Sequence, residues 1–139
     1  MRHQVQKARL KRARGPRRLL LKNLATSLVL HEKIQTTQAK AKALQPVIDK
    51  LIRSCKKGNK TMAIREINKL MQSELASKKV MENLTQRFQN KQGGFTRIIN
   101  IGFRAGDAAP LVQIELTGIH ENLFSKNFGN EAPVVSGGR

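Results

Sequence analysis

The chain begins with a block of positive charge that no acidic side chain offsets. Residues 1–22 contain nine lysines and arginines, and the first side-chain carboxylate belongs to Glu32. The nine cations are Arg2, Lys7, Arg9, Lys11, Arg12, Arg14, Arg17, Arg18 and Lys22. Because like charges repel one another, this block is not expected to fold alone, and it is typical of an arm that becomes ordered on a polyanion. Six of the nine are arginines, whose guanidinium groups bind phosphate through two hydrogen bonds at once.

The positive charge decreases along the chain. Of the 139 residues, which carry a net charge of +18, residues 23–60 contain eight cations and two acids, whereas residues 93–139 contain four of each. One end of the molecule is therefore expected to face a polyanion. A tail that served only solubility or localisation would not need so many arginines without any acid.

The composition also excludes several classes of protein. With five Phe and no Trp or Tyr, base stacking on aromatic rings is a weak basis for binding single strands, so phosphate and shape contacts are expected instead. Cys55 is the only cysteine, which leaves no disulfide framework. No apolar run approaches the ~20 residues of a membrane span, and the basic N-terminus lacks the apolar segment of a secretory signal.

No pattern of catalytic, cofactor-binding or metal-binding residues is present. His3, His31 and His120 are far apart in sequence, and the nine acids form no cluster suited to Mg²⁺. Glycine motifs for nucleotide phosphates are also absent. The sequence therefore predicts a protein that is not an enzyme and needs no cofactor or metal.

Apolar periodicity predicts four helices. The first covers residues 16–31, with Pro16 in its first turn. The second begins after Thr36 or Thr37 and ends at Gly58-Asn59; Pro46 either kinks it or splits it after Gln45, and the periodicity across Pro46 favours one kinked helix. The third and fourth cover residues 61–71 and 77–88. The predicted inward side chains are Leu20, Leu21, Leu24, Ala25 and Leu28; Ala39, Ala43, Leu44, Val47, Leu51, Ile52 and Cys55; Ile64, Ile67, Leu70 and Met71; and Val80, Met81, Leu84 and Phe88. Met62 is also interpreted as a core residue.

Three extended segments accompany the helices. Residues 32–35 form a short link or edge strand, and two longer strands cover residues 95–103 and 111–117, joined by the loop 104–110. In the last strand Val112, Ile114 and Leu116 are predicted to face inward, with Gln113, Glu115 and Thr117 outward. The two long strands form an antiparallel hairpin whose apolar face needs a cover of helices. The predicted fold is therefore α+β with two layers: four helices packed on a small sheet.

The chain divides into three parts by these criteria. Residues 1–15 form the basic arm, residues 16–118 the α+β domain, and residues 119–139 a tail expected to be largely disordered. Leu123, Phe124 and Phe128 in the tail are candidates to dock on the domain or on a neighbouring molecule.

Several motifs resemble one known family. They are Met1-Arg2-His3, Lys22-Asn23-Leu24-Ala25-Thr26-Ser27-Leu28, His31-Glu32-Lys33-Ile34-Gln35-Thr36-Thr37, Ala39-Lys40-Ala41-Lys42 with Leu44 and Pro46, Gly93-Gly94-Phe95-Thr96-Arg97-Ile98, and Gly106-Asp107-Ala108-Ala109-Pro110. Over about residues 1–118 the chain resembles bacterial-type ribosomal protein seventeen of the large subunit. The chain departs from the family at Lys7-Ala8 and at Arg14-Gly15-Pro16, where Gly-Arg and Ser-Ser-His are usual.

The resemblance implies a structural constituent of the large ribosomal subunit. It implies binding of large-subunit ribosomal RNA, neighbouring ribosomal proteins near the tunnel exit, and a location in cytoplasmic or organellar ribosomes, without an obligate homo-oligomer. It extends the candidate RNA-binding residues from the nine cations to His3 in the arm and to Arg97 and Arg104 at the hairpin. The alternative from the residues alone is a DNA-binding architectural protein whose first helix enters a major groove. An anionic membrane is a poorer partner, because the apolar stripe of that helix continues into a globular pattern.

Overall fold

The structure is a computed structural model that describes residues 8–56 and 59–118. Its helices are α1 (Arg14–His31), α2 (Gln38–Lys56), α3 (Lys60–Leu70) and a fourth helix made of three consecutive segments. These segments are α4 (Glu74–Lys79), a π-helical turn (Val80–Leu84) and α5 (Thr85–Arg87). The strands are β1 (Lys33–Thr37), β2 (Thr96–Phe103) and β3 (Pro110–Leu116). The predictions for residues 1–7 and for the tail 119–139 lie outside the described residues.

The three strands form one antiparallel sheet in the order β1-β3-β2. On β3, Val112, Ile114 and Leu116 are buried as predicted, and Ile34 of β1 lies opposite Ile114. α1 and α2 pack on this inner face, and α3 and the fourth helix pack on α1 and α2. The predicted two-layer α+β fold is thus confirmed, including the edge strand.

One apolar core joins the sheet to the helices. Phe95 is completely buried just before β2, and its ring meets that of Phe88 edge-on, with the centroids 5.1 Å apart. Leu28 of α1 and Leu44 of α2 are likewise completely buried. The other large, fully buried side chains are Val29, Ile48, Ile52, Ile67, Val80, Leu84, Val112, Ile114 and Leu116. This core holds α1, and with it the end of the arm, in a fixed position.

α2 runs unbroken through Pro46, as the periodicity predicts. Its inward face is rotated from the predicted one, because Ala41 and Ile48 are buried while Ala39 is exposed and Val47 is half-buried. Ala41, Leu44, Ile48 and Leu51 are three or four residues apart and therefore lie in one line along the helix. This line lies against the sheet.

The predicted inward face of α3 is wrong at Ile64, and Met62 is not a core residue. Ile64 is 46% exposed and Met62 57% exposed, whereas Ala63 and Ile67 are buried. Met62 lies in the first turn, where its backbone N–H donates to the Asn59 side chain over 3.2 Å. Asn59 therefore caps the start of α3 and does not end α2, and a short helix on the surface buries only a narrow stripe.

β2 does not alternate regularly along its length. Asn100 lies opposite Val112 and Gly102 opposite Leu111, so Ile101 is an extra residue in a β-bulge. Gly102 has a φ of +150°, which an L side chain rarely adopts. The bulge therefore interrupts the alternation of side chains between the two faces along the strand predicted at residues 95–103.

Candidate nucleic-acid interface

Seven of the predicted RNA-binding cations lie in the described part of the arm and in the first half of α1. Five of them are exposed, and Arg17 and Lys22 are half-buried. The seven are Arg9, Lys11, Arg12, Arg14, Arg17, Arg18 and Lys22. Among the described residues, no carboxylate forms an ion pair with any of them. These cations are therefore available to an external anion. Arg2, His3 and Lys7 lie outside the described residues.

A tight turn precedes α1 and contains three of these cations, Arg9, Lys11 and Arg12. The backbone N–H of Arg12 donates to the Arg9 carbonyl over 3.1 Å, and Leu10 and Lys11 between them have φ values of +52° and +49°. Two successive positive φ values are typical of a type I′ turn, which usually contains Gly or Asn. Three of the four residues of this turn are cations, so charge repulsion adds to the backbone cost.

The start of α1 is built in a way that favours an anion. Its N-cap residue, Ala13, supplies no side-chain hydrogen bond, and its first turn contains no acid. Arg14, Arg17 and Arg18 instead lie at the positive end of the helix dipole, which destabilises an isolated helix. A phosphate bound there would satisfy the free backbone N–H groups and offset both effects.

The hairpin arginines are in a different electrostatic environment. Arg104 forms two hydrogen bonds to Asp107, from Nε over 2.8 Å and from Nη2 over 2.6 Å. The hydrogen bonds from the Arg104 side chain and from the Ala109 backbone N–H lower the pKa of Asp107 to about 2. Arg97 lies 3.8 Å from Glu115, which is only 2% exposed. Both arginines are therefore paired with carboxylates, although more than half of each side chain remains exposed.

Glu115 alternates with the inward residues of β3 as predicted, but it is buried although it was predicted to face outward. Its register neighbours are Lys33 on β1 and Arg97 on β2, and Nη1 of Arg97 lies 3.8 Å from Oε1 of Glu115. Gln113 donates a hydrogen bond to it over 3.3 Å. A carboxylate on the central strand of a three-stranded sheet is thus enclosed from both sides.

A second ion-pair cluster, which the sequence analysis did not identify, joins the end of α1 to the fourth helix. Glu32 binds Lys79 through Oε1 and Arg87 through Oε2, both over 2.9 Å. Burial would raise the pKa of Glu32, but the hydrogen bonds and charges of Lys79 and Arg87 outweigh it and lower the pKa. The backbone of Glu32, at φ +64°, ends α1 and accepts from Leu116 N–H over 2.9 Å. Because Lys79 and Arg87 are paired with Glu32, they are not part of the candidate interface.

Another group of cations, on the exposed ridge of α2, was not included in the predicted site. Lys42, Lys50 and Arg53 are exposed and lie on one side of the helix, as their spacing of eight and three residues indicates. Of these three, only Arg53 pairs with a carboxylate in the described part of the chain, Asp49 at 3.9 Å. Their spacing relative to the buried line of α2 is the signal by which the sequence alone could have found them.

The described residues contain no group of three or more His, Cys, Asp or Glu side chains arranged to hold a metal ion. Cys55 is buried, and this burial raises the pKa of its thiol to about 11. In the part of the chain that the structure describes, no helix is long and apolar enough to span a membrane.

Comparison with known proteins gives a consistent result. The family described as ribosomal protein L17 matches residues 20–117. Large ribosomal subunit protein bL17 of Erythrobacter litoralis is 37% identical over 132 residues, which cover 93% of this chain and 91% of the relative. The proteins of the same name from Orientia tsutsugamushi and Rickettsia typhi are 41% and 36% identical over 126 and 132 residues. They cover 91% and 95% of this chain, and 85% and 96% of the respective relatives.

Proposed function

Because the chain belongs to the ribosomal protein L17 family, we propose that it is a structural constituent of the large ribosomal subunit and binds large-subunit ribosomal RNA. The family resemblance of its motifs is confirmed by the match over residues 20–117. The observation that supports RNA binding is the set of seven arm and α1 cations that have no carboxylate partner among the described residues. The chain acts by binding and not by catalysis.

The arm and the start of α1 supply the main contacts in this proposal. Arg9, Lys11 and Arg12 neutralise phosphates from the turn, and Arg14, Arg17, Arg18 and Lys22 continue the contact along the first turns of α1. Arg2, His3 and Lys7 extend it at the N-terminus. The globular domain then docks as a rigid body, since its core fixes α1 relative to the sheet.

Arg97 and Arg104 are secondary contacts. A phosphate that approaches Arg104 competes with the two hydrogen bonds that Arg104 donates to Asp107, and one that approaches Arg97 meets the charge of Glu115. We therefore propose that these two residues position RNA weakly, through their exposed N–H groups, and contribute less affinity than the arm.

The salt dependence of RNA binding tests the arm. If five to seven arm cations contact phosphate, the logarithm of affinity falls with the logarithm of salt concentration with a slope on the order of −4 to −6. Deletion of residues 2–14 removes six cations and should flatten this slope, while thermal unfolding of the domain stays unchanged. An unchanged slope after the deletion would contradict the arm model.

A matched control separates the arm from net charge. Replacing Lys60, Lys69 and Lys78 by Ser removes three exposed cations from α3 and α4. Lys69 and Lys78 are already paired with Glu66 and Glu74, so this variant should keep nearly the full slope. Duplex DNA serves as the competitor in the same assay. Tighter binding to duplex DNA than to ribosomal RNA at equal salt would favour the alternative of a DNA-binding architectural protein.

The finer assignments follow from the same family. We propose neighbouring proteins of the large subunit near the tunnel exit as protein partners, and ribosomes of the cytoplasm or of an organelle as the location. No stable homodimer is expected, because the RNA and not a second copy holds the chain. Light scattering of the free protein should give the mass of a monomer, 15.6 kDa.

A further inference from the structure

A second group of cations lies where the C-terminal half of α2 meets the connection between the fourth helix and β2. Lys50 and Arg53 are exposed on α2, Lys56 is half-buried at its end, and Lys91 is exposed in the connection. We refer to these four residues as the α2 seam. Of the four, only Arg53 pairs with a carboxylate in the described part of the chain, Asp49 at 3.9 Å.

Contacts between the two segments bring the cations of the α2 seam together. Nζ of Lys56 donates a hydrogen bond to the carbonyl of Lys91 and lies 5.7 Å from the centre of the buried Phe95 ring. Nη2 of Arg53 is so close to Gly93 that a Cβ at this position would lie 3.2 Å from it. The fold thus places cations from two segments on one surface, although 35 residues separate Lys56 from Lys91.

The charge of the α2 seam is not balanced by its surroundings. Residues 50–60 contain five cations and no acid. Oδ1 of Asp49 accepts a hydrogen bond from the backbone N–H of Phe95 over 3.4 Å, so the one nearby carboxylate also ties α2 to the start of β2. Nζ of Lys91 donates to the hydroxyl of Thr117 over 2.9 Å, which supplies no counter-charge. The four cations and Asp49 together have a net positive charge, which attracts a polyanion.

The helix dipole explains only part of this arrangement. Arg53 and Lys56 lie in the last turn of α2, where a cation is favourable without any external partner. Lys50 lies before that turn, and Lys91 belongs to another segment of the chain. The dipole therefore accounts for neither Lys50 nor Lys91.

The space beside the α2 seam suits a phosphate backbone better than a stacked base. An open depression of about 320 Å³ is lined by Pro46, Asp49, Lys50, Arg53 and Ser54. Liquid water takes up about 30 Å³ per molecule, so the depression has room for a phosphate group and its sugar. Phe88 and Phe95, the rings nearest to the seam, are buried and offer no face for stacking.

We propose that the α2 seam is a second RNA-binding surface, which contacts the sugar–phosphate backbone of large-subunit ribosomal RNA separately from the arm. This inference rests on the proposed function and adds a surface on the globular domain. Exposed amide side chains next to Lys91 in sequence supply further donors for phosphate oxygens and 2′-hydroxyls; they are Gln89, Asn90 and Gln92. With RNA bound at the arm and at the seam, the orientation of the domain on the RNA is fixed.

The salt dependence of RNA binding tests the α2 seam in the full chain. Lys50→Ser, Arg53→Ser and Lys91→Ser together should make the salt slope for protein-free large-subunit ribosomal RNA shallower by about two, and lower the affinity about tenfold at low salt. Lys56 is kept, because its half-buried contacts join the two segments. The variant with Lys60, Lys69 and Lys78 replaced by Ser loses the same number of cations and should keep nearly the full slope.

Combining variants tests whether the two surfaces are separate. Effects of substitutions at independent sites add. The full chain with the three seam substitutions and with Arg9→Ser, Lys11→Ser and Arg12→Ser should therefore lose the sum of the two slope changes. A combined variant with the slope of the arm variant alone would show that the seam makes no contact of its own, and would overturn the proposal.

Lysine reactivity gives a second measurement on the wild-type chain, which does not depend on the folding of any variant. Acetylation of Lys50 and Lys91, followed by mass spectrometry, should be severalfold slower in the complex with protein-free ribosomal RNA than in the free protein. Lys60, Lys69 and Lys78 are the controls and should react equally fast in both. Because the complex contains no other protein, protection of the seam identifies RNA as its partner.

The outcomes distinguish this inference from the proposed function. A shallower slope in the seam variant, with protection of Lys50 and Lys91, supports both. RNA binding that weakens in the arm variant but not in the seam variant overturns the seam alone, and so does equal reactivity of the seam lysines with and without RNA. A wild-type chain that does not bind ribosomal RNA overturns the proposed RNA binding and this inference together.

Discussion

The arginines of the arm and those of the hairpin differ in one physical respect. Arg9 and Arg12 have no carboxylate partner among the described residues, whereas Arg104 donates two hydrogen bonds to Asp107 and Arg97 lies 3.8 Å from Glu115. The side chains have the same formula and are exposed in both places. Exposure alone therefore does not make a cation available to RNA. A cation that is paired with a carboxylate of the same chain must first lose that interaction.

The Glu32 cluster extends this comparison to the interior. There Lys79 and Arg87 are about one-quarter exposed, and both bind the same carboxylate over 2.9 Å. These cations hold the end of α1 against the fourth helix. The cations thus differ in three ways: those of the described arm residues have no carboxylate partner, those of the hairpin are paired and exposed, and those around Glu32 are paired and mostly buried.

The largest effect is expected from neutralising the arm. Arg9→Ser, Lys11→Ser and Arg12→Ser together should make the salt slope of RNA binding shallower by about three and lower the affinity about 10- to 100-fold at low salt. Arg97→Ser with Arg104→Ser should lower it less than about threefold, because their partners already offset much of their charge. Filter binding over a salt series measures both. Equal losses of RNA affinity in the two variants would contradict the distinction between unpaired and paired arginines.

A smaller effect, on stability, is expected at Glu32. Glu32→Gln leaves Lys79 and Arg87 mostly buried without a counter-charge, and it should lower the free energy of unfolding by about 1–2 kcal/mol at pH 7. Urea unfolding of the RNA-free protein measures this. Glu74→Gln is the control, because its ion pair with Lys78 is exposed, and it should change stability by less than about 0.5 kcal/mol.

The pH dependence of that effect follows from the direction of the pKa shift. The pKa of Glu32 is lower in the folded state than its ordinary value of 4.5. Its contribution to stability is therefore fully present above about pH 4.5 and is lost as the pH falls through the lower, folded-state pKa. The difference between wild type and Glu32→Gln should shrink in that acid range, and a difference that stays constant down to pH 2 would contradict the ion-pair role.

The smallest effect is expected from removing the carboxylate partner of the hairpin arginine Arg104. Asp107→Asn removes the partner of Arg104 and should raise RNA affinity about twofold, with a salt slope steeper by up to one. A fall in affinity would show that Arg104 needs Asp107 to be held in place for RNA. In the free wild-type protein, NMR titration should place the pKa of Asp107 at about 2, and Arg104→Ala should return it toward 3.8.

Much of this molecule is determined by local sequence. The family motifs, the order of helices and strands, and the inward face of β3 at Val112, Ile114 and Leu116 could all be predicted, because periodicity and turn chemistry act over a few residues. The unbroken course of α2 through Pro46 was predicted in the same way. The clustering of arm cations before the first acid, Glu32, is likewise a property of the sequence alone.

Other features depend on residues that are distant along the chain. Ile64 and Met62 proved exposed and Glu115 buried, since only packing decides which part of a helix or strand face is covered. The pairing of Glu32 with Lys79 and Arg87 spans about 50 residues, and the bulge at Ile101 depends on the register with β3. The sequence by itself determined that the chain is a basic ribosomal-family protein with a cationic arm. Only the tertiary structure decided which cations have partners, because an ion pair depends on distances between atoms that folding alone brings together.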